Sequence, residues 1–374
     1  MPTTHPRARL RELGISIGSY PPGPLNAITD VPGVLVGHRT LIYDEPRKAR
    51  TGVTVILPRD GQIHEDFAFA GFHCFNGTGE MTGIHLLEEF GLLTTPIALT
   101  NTNQVGLVLD SLARYGATHY GGWAYKISVV AETYDGWLND INAFHLTEND
   151  VIAALESACG GPVAEGNVGG GTGMICHQFK GGIGSASRQV ESEEEIFTIG
   201  ALVQANYGER RLLRVAGVPV GRLMDENHTP LPSEKVDPDS SSHREGSIIV
   251  VIATDAPLIP TQCRRLAQRA TVGLARVGGV GYNSSGDLFL SFSTGNHYPP
   301  SAKKVSDVHM LTLSQMDPFF EATAEAVEEA ILNALTAAET MTGFKDRTVY
   351  ALPLDDLQRI MADYDQVAKR YSSR

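Results

Sequence analysis

A continuous apolar stretch stands at residues 246–253, which read GSIIVVIA. Such an unbroken aliphatic run predicts a β-strand that is buried on both faces. The preceding residues 225–245, DENHTPLPSEKVDPDSSSHRE, are polar and contain three prolines, which predicts a loose surface segment. Ser247 therefore stands where an irregular segment enters a core strand. On this pattern alone, the simplest interpretation is a linker between two domains.

The composition restricts the class of protein. The 374 residues carry 30 basic and 43 acidic side chains, a formal net charge of −13, which argues against nucleic-acid and membrane-surface partners. Hydrophobic residues make up 42%, a value typical of ordinary globular proteins. The N-terminus leads into no apolar segment of the kind found in signal peptides. We expect a soluble, cytoplasmic protein that binds neither nucleic acid nor a membrane.

Metal and cofactor motifs are missing from the sequence. The 4 cysteines form no C-x-x-C pair, and the 12 histidines show no metal-ligand spacing. The glycine-rich run at residues 165–174, EGNVGGGTGM, could hold an anion through backbone N–H groups, but it lacks the GxGxxG register of dinucleotide folds. The alternative is a tight turn at which two backbones approach closely. We expect neither a metal nor a cofactor.

Apolar periodicity predicts interleaved helices and strands. Alternation in residues 197–205, followed by a turn and by residues 212–220, predicts a β-hairpin. Residues 263–277 carry a helical apolar stripe. Other predicted segments are strands at 51–58 and 125–131 and helices at about 78–90, 102–116 and 147–160. The sequence therefore predicts an α/β or α+β fold whose sheets are covered by helices.

Several polar residues stand at predicted strand ends. Ser285 and Asp287 are two residues apart and so share one face of a strand. Glu132 and Tyr134 show the same spacing after another apolar run, and Asn206 directly follows the alternating residues 197–205. Each residue alone could be a solvated strand end. Together with a hydroxyl at a strand mouth they could form a catalytic set, although the sequence does not bring them together.

Five segments resemble one family of enzymes. They are residues 28–38, the run NGTGEMTG at 76–83, ETYDG at 132–136, the glycine-rich run at 166–174, and GSII at 246–249. The chain resembles, over nearly its whole length, the L-aminopeptidase/D-esterase family, which includes the β-peptidyl aminopeptidases. The resemblance implies one domain, residues 1–374, with a four-layer αββα sandwich similar to N-terminal-nucleophile hydrolases but differently connected.

The resemblance also implies self-cleavage. Members of this family cut their precursor before a serine, which here is the bond between Gly246 and Ser247. The products would be a larger chain of residues 1–246 and a smaller chain of residues 247–374 that stay folded together, and the family forms homotetramers of such cleaved protomers. The polar segment then becomes a chain end rather than a domain linker.

Catalytic roles follow from the same resemblance. Ser247 would supply both the nucleophilic hydroxyl and, after cleavage, an α-amine that titrates near ~7.7 and can act as a base at neutral pH. Ser285 and Asp287 match positions proposed to relay or orient the proton, and some members carry Glu where this chain has Asp287. Either the α-amine or the Ser285–Asp287 pair could be the base.

Three further residues match the substrate-contacting positions of the family. Asn206 matches the amide that stabilises the oxyanion, and Tyr134 matches a tyrosine near the reacting carbonyl. Glu132 matches the carboxylate that pairs with the free ammonium group of the substrate. The implied substrates are small peptides or amino-acid amides and esters with an α-L-, β- or D-residue at the amino end.

Two other functions are compatible with the sequence. The first is acyl transfer, as in the self-cleaving ornithine acetyltransferases of related fold, although these cleave at a threonine. The second is a non-catalytic ligand-binding homologue that keeps the fold without cleavage. Assays of acyl transfer to amine acceptors, of hydrolysis and of chain cleavage separate the three functions.

Overall fold

The computed structural model of the chain describes residues 7–192, 195–224, 226, 229–232, 246–300 and 305–372. The loose segment predicted at 225–245 lies, apart from residues 226 and 229–232, outside the described residues. The strands are β1 (Leu35–Tyr43), β2 (Ala49–Leu57), β3 (Phe67–Gly77), β4 (Leu92–Leu93), β5 (Ile97–Asn101), β6 (Val129–Thr133), β7 (Ile175–Cys176), β8 (Phe179–Lys180), β9 (Gly182–Ser192), β10 (Glu195–Asn206), β11 (Ser247–Thr254), β12 (Gly286–Tyr298), β13 (Met341–Thr342) and β14 (Thr348–Val349). The helices are α1 (Ile84–Phe90), α2 (Val105–His119), α3 (Glu148–Glu156), α4 (Val220–Leu223), α5 (Pro260–Val277), α6 (Met316–Ala337) and α7 (Leu354–Ser372).

Two large sheets contain most of these strands. The first has the order β1-β2-β5-β6 and the second the order β4-β3-β12-β11-β10-β9. Strands β5 and β6 run parallel in the first sheet, as do β11 and β12 in the second. Strand β11, which contains the GSIIVVIA run, lies in the middle of the second sheet, and all of its residues are buried. The prediction of a strand covered on both faces is therefore confirmed.

The two sheets pack face to face. Their shared core includes Ile56 and Leu99 from the first sheet and Ile249, Val251 and Leu290 from the second. Because side chains alternate along a strand, the intervening residues of each strand point to the opposite face of the sheet. Those outer faces are also apolar, so each sheet needs a second covering layer.

Helices supply both outer layers. On the first sheet, α2 and α3 pack at a core that contains Val55 and Val151, and on the second, α5 and α6 pack at a core that contains Val250 and Leu266. The layers are therefore helix, sheet, sheet and helix, which confirms the predicted αββα sandwich. Within the described residues, no helix combines the length and the apolar character that crossing a bilayer requires.

The prediction of a hairpin at 197–220 is wrong in its second half. Strand β10 does form, but its neighbours are β9 and β11 rather than residues 212–220. Those residues form short turns, including a tight loop between Val215 and Val218, and their apolar side chains pack into the core beneath the second sheet. The apolar pattern therefore reflects packing against a sheet, not membership in one.

The predicted helix at 78–90 is also too long. The helix begins at Ile84, and residues 78–82 instead form a bent connection between the two sheets, in which Met81 makes a single β-bridge to Ala131. The N–H of Thr78 donates to the carbonyl of Ser285 at 3.2 Å, and the N–H of Thr82 donates to the carbonyl of Val130 at 2.9 Å. Strand β6 is shifted likewise, to Val129–Thr133 from the predicted 125–131. This connection places residues of both sheets at one edge of the sandwich.

Candidate active site

Ser247 and Asn206 face each other at one end of the second sheet. In the antiparallel pair β10–β11 the two residues are direct partners, and in the parallel pair β11–β12 Ser247 lies beside Gly286. Leu202 and Ile249 of the same strands belong to the core between the sheets, so the alternation places Ser247 and Asn206 on that inner face as well. Both side chains are largely buried.

Gly246 holds the carbonyl group that precedes Ser247. Its oxygen accepts a hydrogen bond from the N–H of Gly286 at 3.0 Å. A Cβ atom at Gly246 would lie 3.1 Å from the Cα of Tyr207, so a larger residue would press against strand β10. The peptide bond between Gly246 and Ser247 is thus buried and held by a hydrogen bond donor on its carbonyl oxygen.

The carboxamide of Asn206 is fixed in one orientation. Its Oδ1 accepts from the N–H of Ile175 at 2.8 Å, and its Nδ2 donates to the carbonyl of Tyr134 at 3.0 Å. A carboxamide nitrogen carries two hydrogens. Among the described residues, the second hydrogen of Nδ2 has no acceptor, which leaves a donor on the same face as Ser247.

Glu132 brings a carboxylate from the first sheet to this edge. Its Oε1 accepts from the N–H of Glu80 at 3.2 Å, and its Oε2 accepts from the hydroxyl of Thr102. Burial raises the pKa of Glu132, while these two donors oppose the rise. A Cβ atom on Gly79 would lie 3.3 Å from Oε1 and 3.2 Å from the Cα of Gly286. Gly79 is therefore packed closely against both the Glu132 carboxylate and Gly286, the strand neighbour of Ser247.

Tyr134 follows strand β6 and contributes in two ways. Its carbonyl accepts the hydrogen bond from Asn206, and its side chain is half exposed at the open side of the site. The ring lies against Gly136, where any Cβ would overlap the phenol. The phenol is therefore the most accessible of the predicted site residues.

Ser285 and Asp287 lie next to this group but on the other face of the sheet. The Ser285 hydroxyl donates to Asp287 Oδ1 at 2.6 Å. Asp287 pairs with Ile248 in the register, and Leu288 faces the core between the sheets, so Asp287 faces the helices. Burial raises the pKa of Asp287 to about 6, and bonds from Ser285 and from the backbone of Ile248 limit the rise. Within the described chain neither side chain hydrogen-bonds to Ser247.

The glycine-rich run packs closely against both sheets. A Cβ on Gly170 would overlap the side chain of Gln204 and the backbone of Leu99. The N–H groups of Gly169 and Gly170 already donate to the hydroxyls of Thr40 and Thr54, at 2.8 and 3.1 Å. The interpretation as a close backbone approach is therefore preferred over an anion cradle. Among the described residues, no group of three or more His, Cys, Asp and Glu side chains is placed to hold a metal.

Two contacts of the site were not predicted from the sequence. Thr102 stands just after β5, and the parallel pairing of β5 with β6 puts it beside the end of β6, where Glu132 lies. The carboxyl ends of parallel strands meet at one edge, so this neighbour could have been anticipated once β5 and β6 were paired. The contact from the N–H of Ile175 could not have been anticipated, because the sequence does not show which acceptor a backbone N–H will find.

Comparison with known proteins identifies the family. Residues 26–349 match the model of peptidase family S58. The chain belongs to peptidase family S58. It is 44% identical over 371 residues to the β-peptidyl aminopeptidase BapA of Sphingosinicella microcystinivorans, with 96% of this chain and 93% of that protein covered. The predicted resemblance to this group of enzymes is confirmed.

Solved structures of similar proteins share the fold of this S58 peptidase. A β-aminopeptidase from a Burkholderia species is 50% identical with a TM-score of 0.87, and covers 95% of this chain and 99% of its own. The L-aminopeptidase D-Ala-esterase/amidase of Ochrobactrum anthropi is 44% identical with a TM-score of 0.89, at 96% and 99% coverage. The latter is described as a prototype of the serine aminopeptidases and a variant of the N-terminal-nucleophile hydrolase fold. This S58 chain is accordingly a serine aminopeptidase of that type.

Proposed function

We propose that the chain cuts its own bond between Gly246 and Ser247. The Ser247 Oγ attacks the carbonyl carbon of Gly246, the hydroxyl proton passes to the amide nitrogen, and the C–N bond breaks to leave an ester. Water hydrolyses the ester, so that chain 1–246 ends in a carboxylate and chain 247–374 begins with an amine. The N–H of Gly286, 3.0 Å from the carbonyl oxygen, supports this step because it stabilises the negative charge that develops there.

The mature Ser247 then acts as both nucleophile and base. An α-amine titrates near ~7.7, against ~10.4 for a lysine, so a useful fraction is neutral at pH 7 and can accept the Oγ proton. Attack on the substrate carbonyl forms an acyl-enzyme, the proton passes to the leaving group, and water releases the acyl group by the reverse transfers. Asp287, hydrogen-bonded to Ser285 and beside the backbone of Ile248, orients this chain end or relays its proton.

Three residues complete the site around the reacting carbonyl. The second Nδ2 hydrogen of Asn206 stabilises the oxyanion, and the Tyr134 hydroxyl lies near the reacting group. Glu132 binds the free ammonium of the substrate. The observation that supports the proposal is the pairing of Ser247 with Asn206, with the Glu132 carboxylate close to Gly79 and Gly79 close to Gly286, the strand neighbour of Ser247. A buried carboxylate favours substrates with a free amine, since a blocked one leaves its charge unpaired.

The substrates proposed are small peptides, amides and esters with an unblocked α-L-, β- or D-residue at the amino end. Among similar proteins, one is named a β-peptidyl aminopeptidase and another an L-aminopeptidase D-Ala-esterase/amidase. Hydrolysis of an L-alanyl, a β-alanyl and a D-alanyl amide under the same conditions ranks the three classes. We also propose a homotetramer of cleaved protomers, whose mass light scattering measures.

Intact mass spectrometry tests the central step. The purified wild-type protein should give two chains that end and begin at the bond between Gly246 and Ser247, and Ser247→Ala should give one uncut, inactive chain. Thr254→Ala, at the other end of β11, is the matched control and should still be cut. A wild-type chain that stays whole and yet hydrolyses aminoacyl amides contradicts the proposal.

A further inference from the structure

Lys180 is a buried lysine with an unusual set of partners. Its side chain is fully buried, and its Nζ donates to the carbonyls of Gly171, Met174 and Gly181 at 3.3, 2.8 and 2.8 Å. No carboxylate in the described part of the chain pairs with it. An amine without a counter-charge is costly to bury. Core packing alone therefore does not explain why a lysine stands at position 180.

The reason lies in the peptide group between Met174 and Ile175. Its carbonyl oxygen accepts from Lys180 Nζ at 2.8 Å and from the N–H of Gly181 at 2.9 Å, and its N–H donates to Asn206 Oδ1 at 2.8 Å. Lys180 supplies the charge-assisted bond of the two on the carbonyl. In a planar trans peptide the carbonyl and the N–H point in opposite directions. One rigid unit thus joins the lysine to the carboxamide of Asn206, and Ile175 and Lys180 are also partners across the hairpin β7–β8.

The orientation of the Asn206 carboxamide depends on this unit. With the Ile175 N–H fixed, Oδ1 has to face it, and Nδ2 then points towards Tyr134 and the face of Ser247. Hydrogen bonds in a chain polarise one another, so a bond from Lys180 to the Met174 carbonyl strengthens the Ile175 N–H as a donor. The same polarisation passes through the carboxamide to its N–H groups.

We infer that Lys180 is a positioning residue for the oxyanion site, acting through the peptide group between Met174 and Ile175 to hold and polarise the Asn206 carboxamide. The inference rests on the proposed function, in which Asn206 stabilises the oxyanion. A lysine that only fastens the glycine-rich run would affect stability, and its effect on turnover would be independent of Asn206. A lysine that works through Asn206 loses its effect when the carboxamide is gone.

A double-mutant cycle separates these two roles. The variants are Lys180→Met, Asn206→Ala and the pair, and kcat and KM are measured on an aminoacyl p-nitroanilide per cleaved chain. Variants that do not cleave are made by co-expressing residues 1–246 with 247–374. We expect Asn206→Ala to lower kcat by about 100- to 1,000-fold. We expect Lys180→Met to lower kcat by about 10-fold with KM within about twofold, and the double variant to match Asn206→Ala.

Control variants distinguish a positioning role of Lys180 from a general loss of stability. Val108→Ala, in the core between α2 and the first sheet, lowers stability far from the site and should leave kcat unchanged. Lys180→Gln, whose amide can still donate to the Met174 carbonyl, is the rescue control and should keep kcat within about twofold of wild type. If Lys180→Met does not fold, Lys180→Leu, which also lacks a donor, replaces it in the cycle.

Two outcomes overturn this inference alone. In the first, the factors by which Lys180→Met and Asn206→Ala lower kcat multiply in the double variant. In the second, Lys180→Met leaves kcat unchanged although Asn206→Ala lowers it. An Asn206→Ala variant with wild-type kcat overturns the oxyanion assignment as well.

Discussion

Glu132 has to be ionised to bind an ammonium although it is buried. Burial raises its pKa, and the Thr102 hydroxyl and the Glu80 N–H favour the charged form. In the proposed function, an ammonium that enters the site supplies the missing counter-charge and lowers the pKa of Glu132.

We expect Glu132→Gln to lower kcat/KM on unblocked substrates by about 30-fold or more, because losing one partner of a buried charge pair costs about 2–5 kcal/mol. Glu88→Gln, which removes the carboxylate of an exposed glutamate in helix α1, is the control and should leave kcat/KM unchanged. Steady-state kinetics of both variants, with cleavage checked by mass, make the comparison. Unchanged kcat/KM in Glu132→Gln would show that the anchor lies elsewhere.

At the scale of elements, the sequence predicted strands and helices where one pattern dominates. Two examples are the aliphatic run of β11 and the helical apolar stripe of α5, in which Cys263 and Leu266 are buried. The helix predicted from residue 78 begins later because no local pattern distinguishes a connection between two sheets from the start of a helix. The hydrogen bonds that fix residues 78–82 go to residues far along the chain, Ser285 and Val130.

The site could be predicted only through the family resemblance. Glu132 belongs to the first sheet and Asn206 and Ser247 to the second, so their meeting depends on how two sheets stack. The spacing of residues along the sequence does not reveal how the two sheets stack. The strand alternation predicted correctly that Ser285 and Asp287 share a side, but not that this side is opposite to Ser247.

The connection at 78–82 gives a test at this scale. The methyl group of Gly79→Ala would press on the Glu132 carboxylate at 3.3 Å and on the Gly286 backbone at 3.2 Å, so we expect KM for unblocked substrates to rise about 10-fold or more. Gly106→Ala, in α2 with nothing within 4 Å of its Cβ, is the matched control. It should stabilise the protein by about 0.5–1 kcal/mol in thermal unfolding and leave KM unchanged. A Gly79→Ala enzyme with wild-type KM would contradict the proposed role of Glu132 in binding the ammonium.

At the scale of the whole molecule, the proposed cleavage divides the second sheet between two chains. Strands β11 and β12 would belong to chain 247–374, and they lie between β10 and β3 of chain 1–246. Helices α5 and α6 of the smaller chain cover strands of both. The interface between the chains is therefore the core of the protein, and neither chain buries its apolar surface alone.

Refolding should reveal this division. After unfolding in urea, the cleaved wild-type enzyme has to bring two chains together, so its refolding rate and yield should rise with protein concentration over about a hundredfold range. The uncut Ser247→Ala chain keeps its halves tethered, so it should regain its secondary structure at a rate independent of concentration, and only the later association of protomers should depend on concentration. Far-ultraviolet circular dichroism after dilution follows both proteins, and gel filtration without urea checks that the native cleaved chains co-elute. Concentration-independent refolding of the cleaved protein, or native chains that separate, would contradict a core shared in this way.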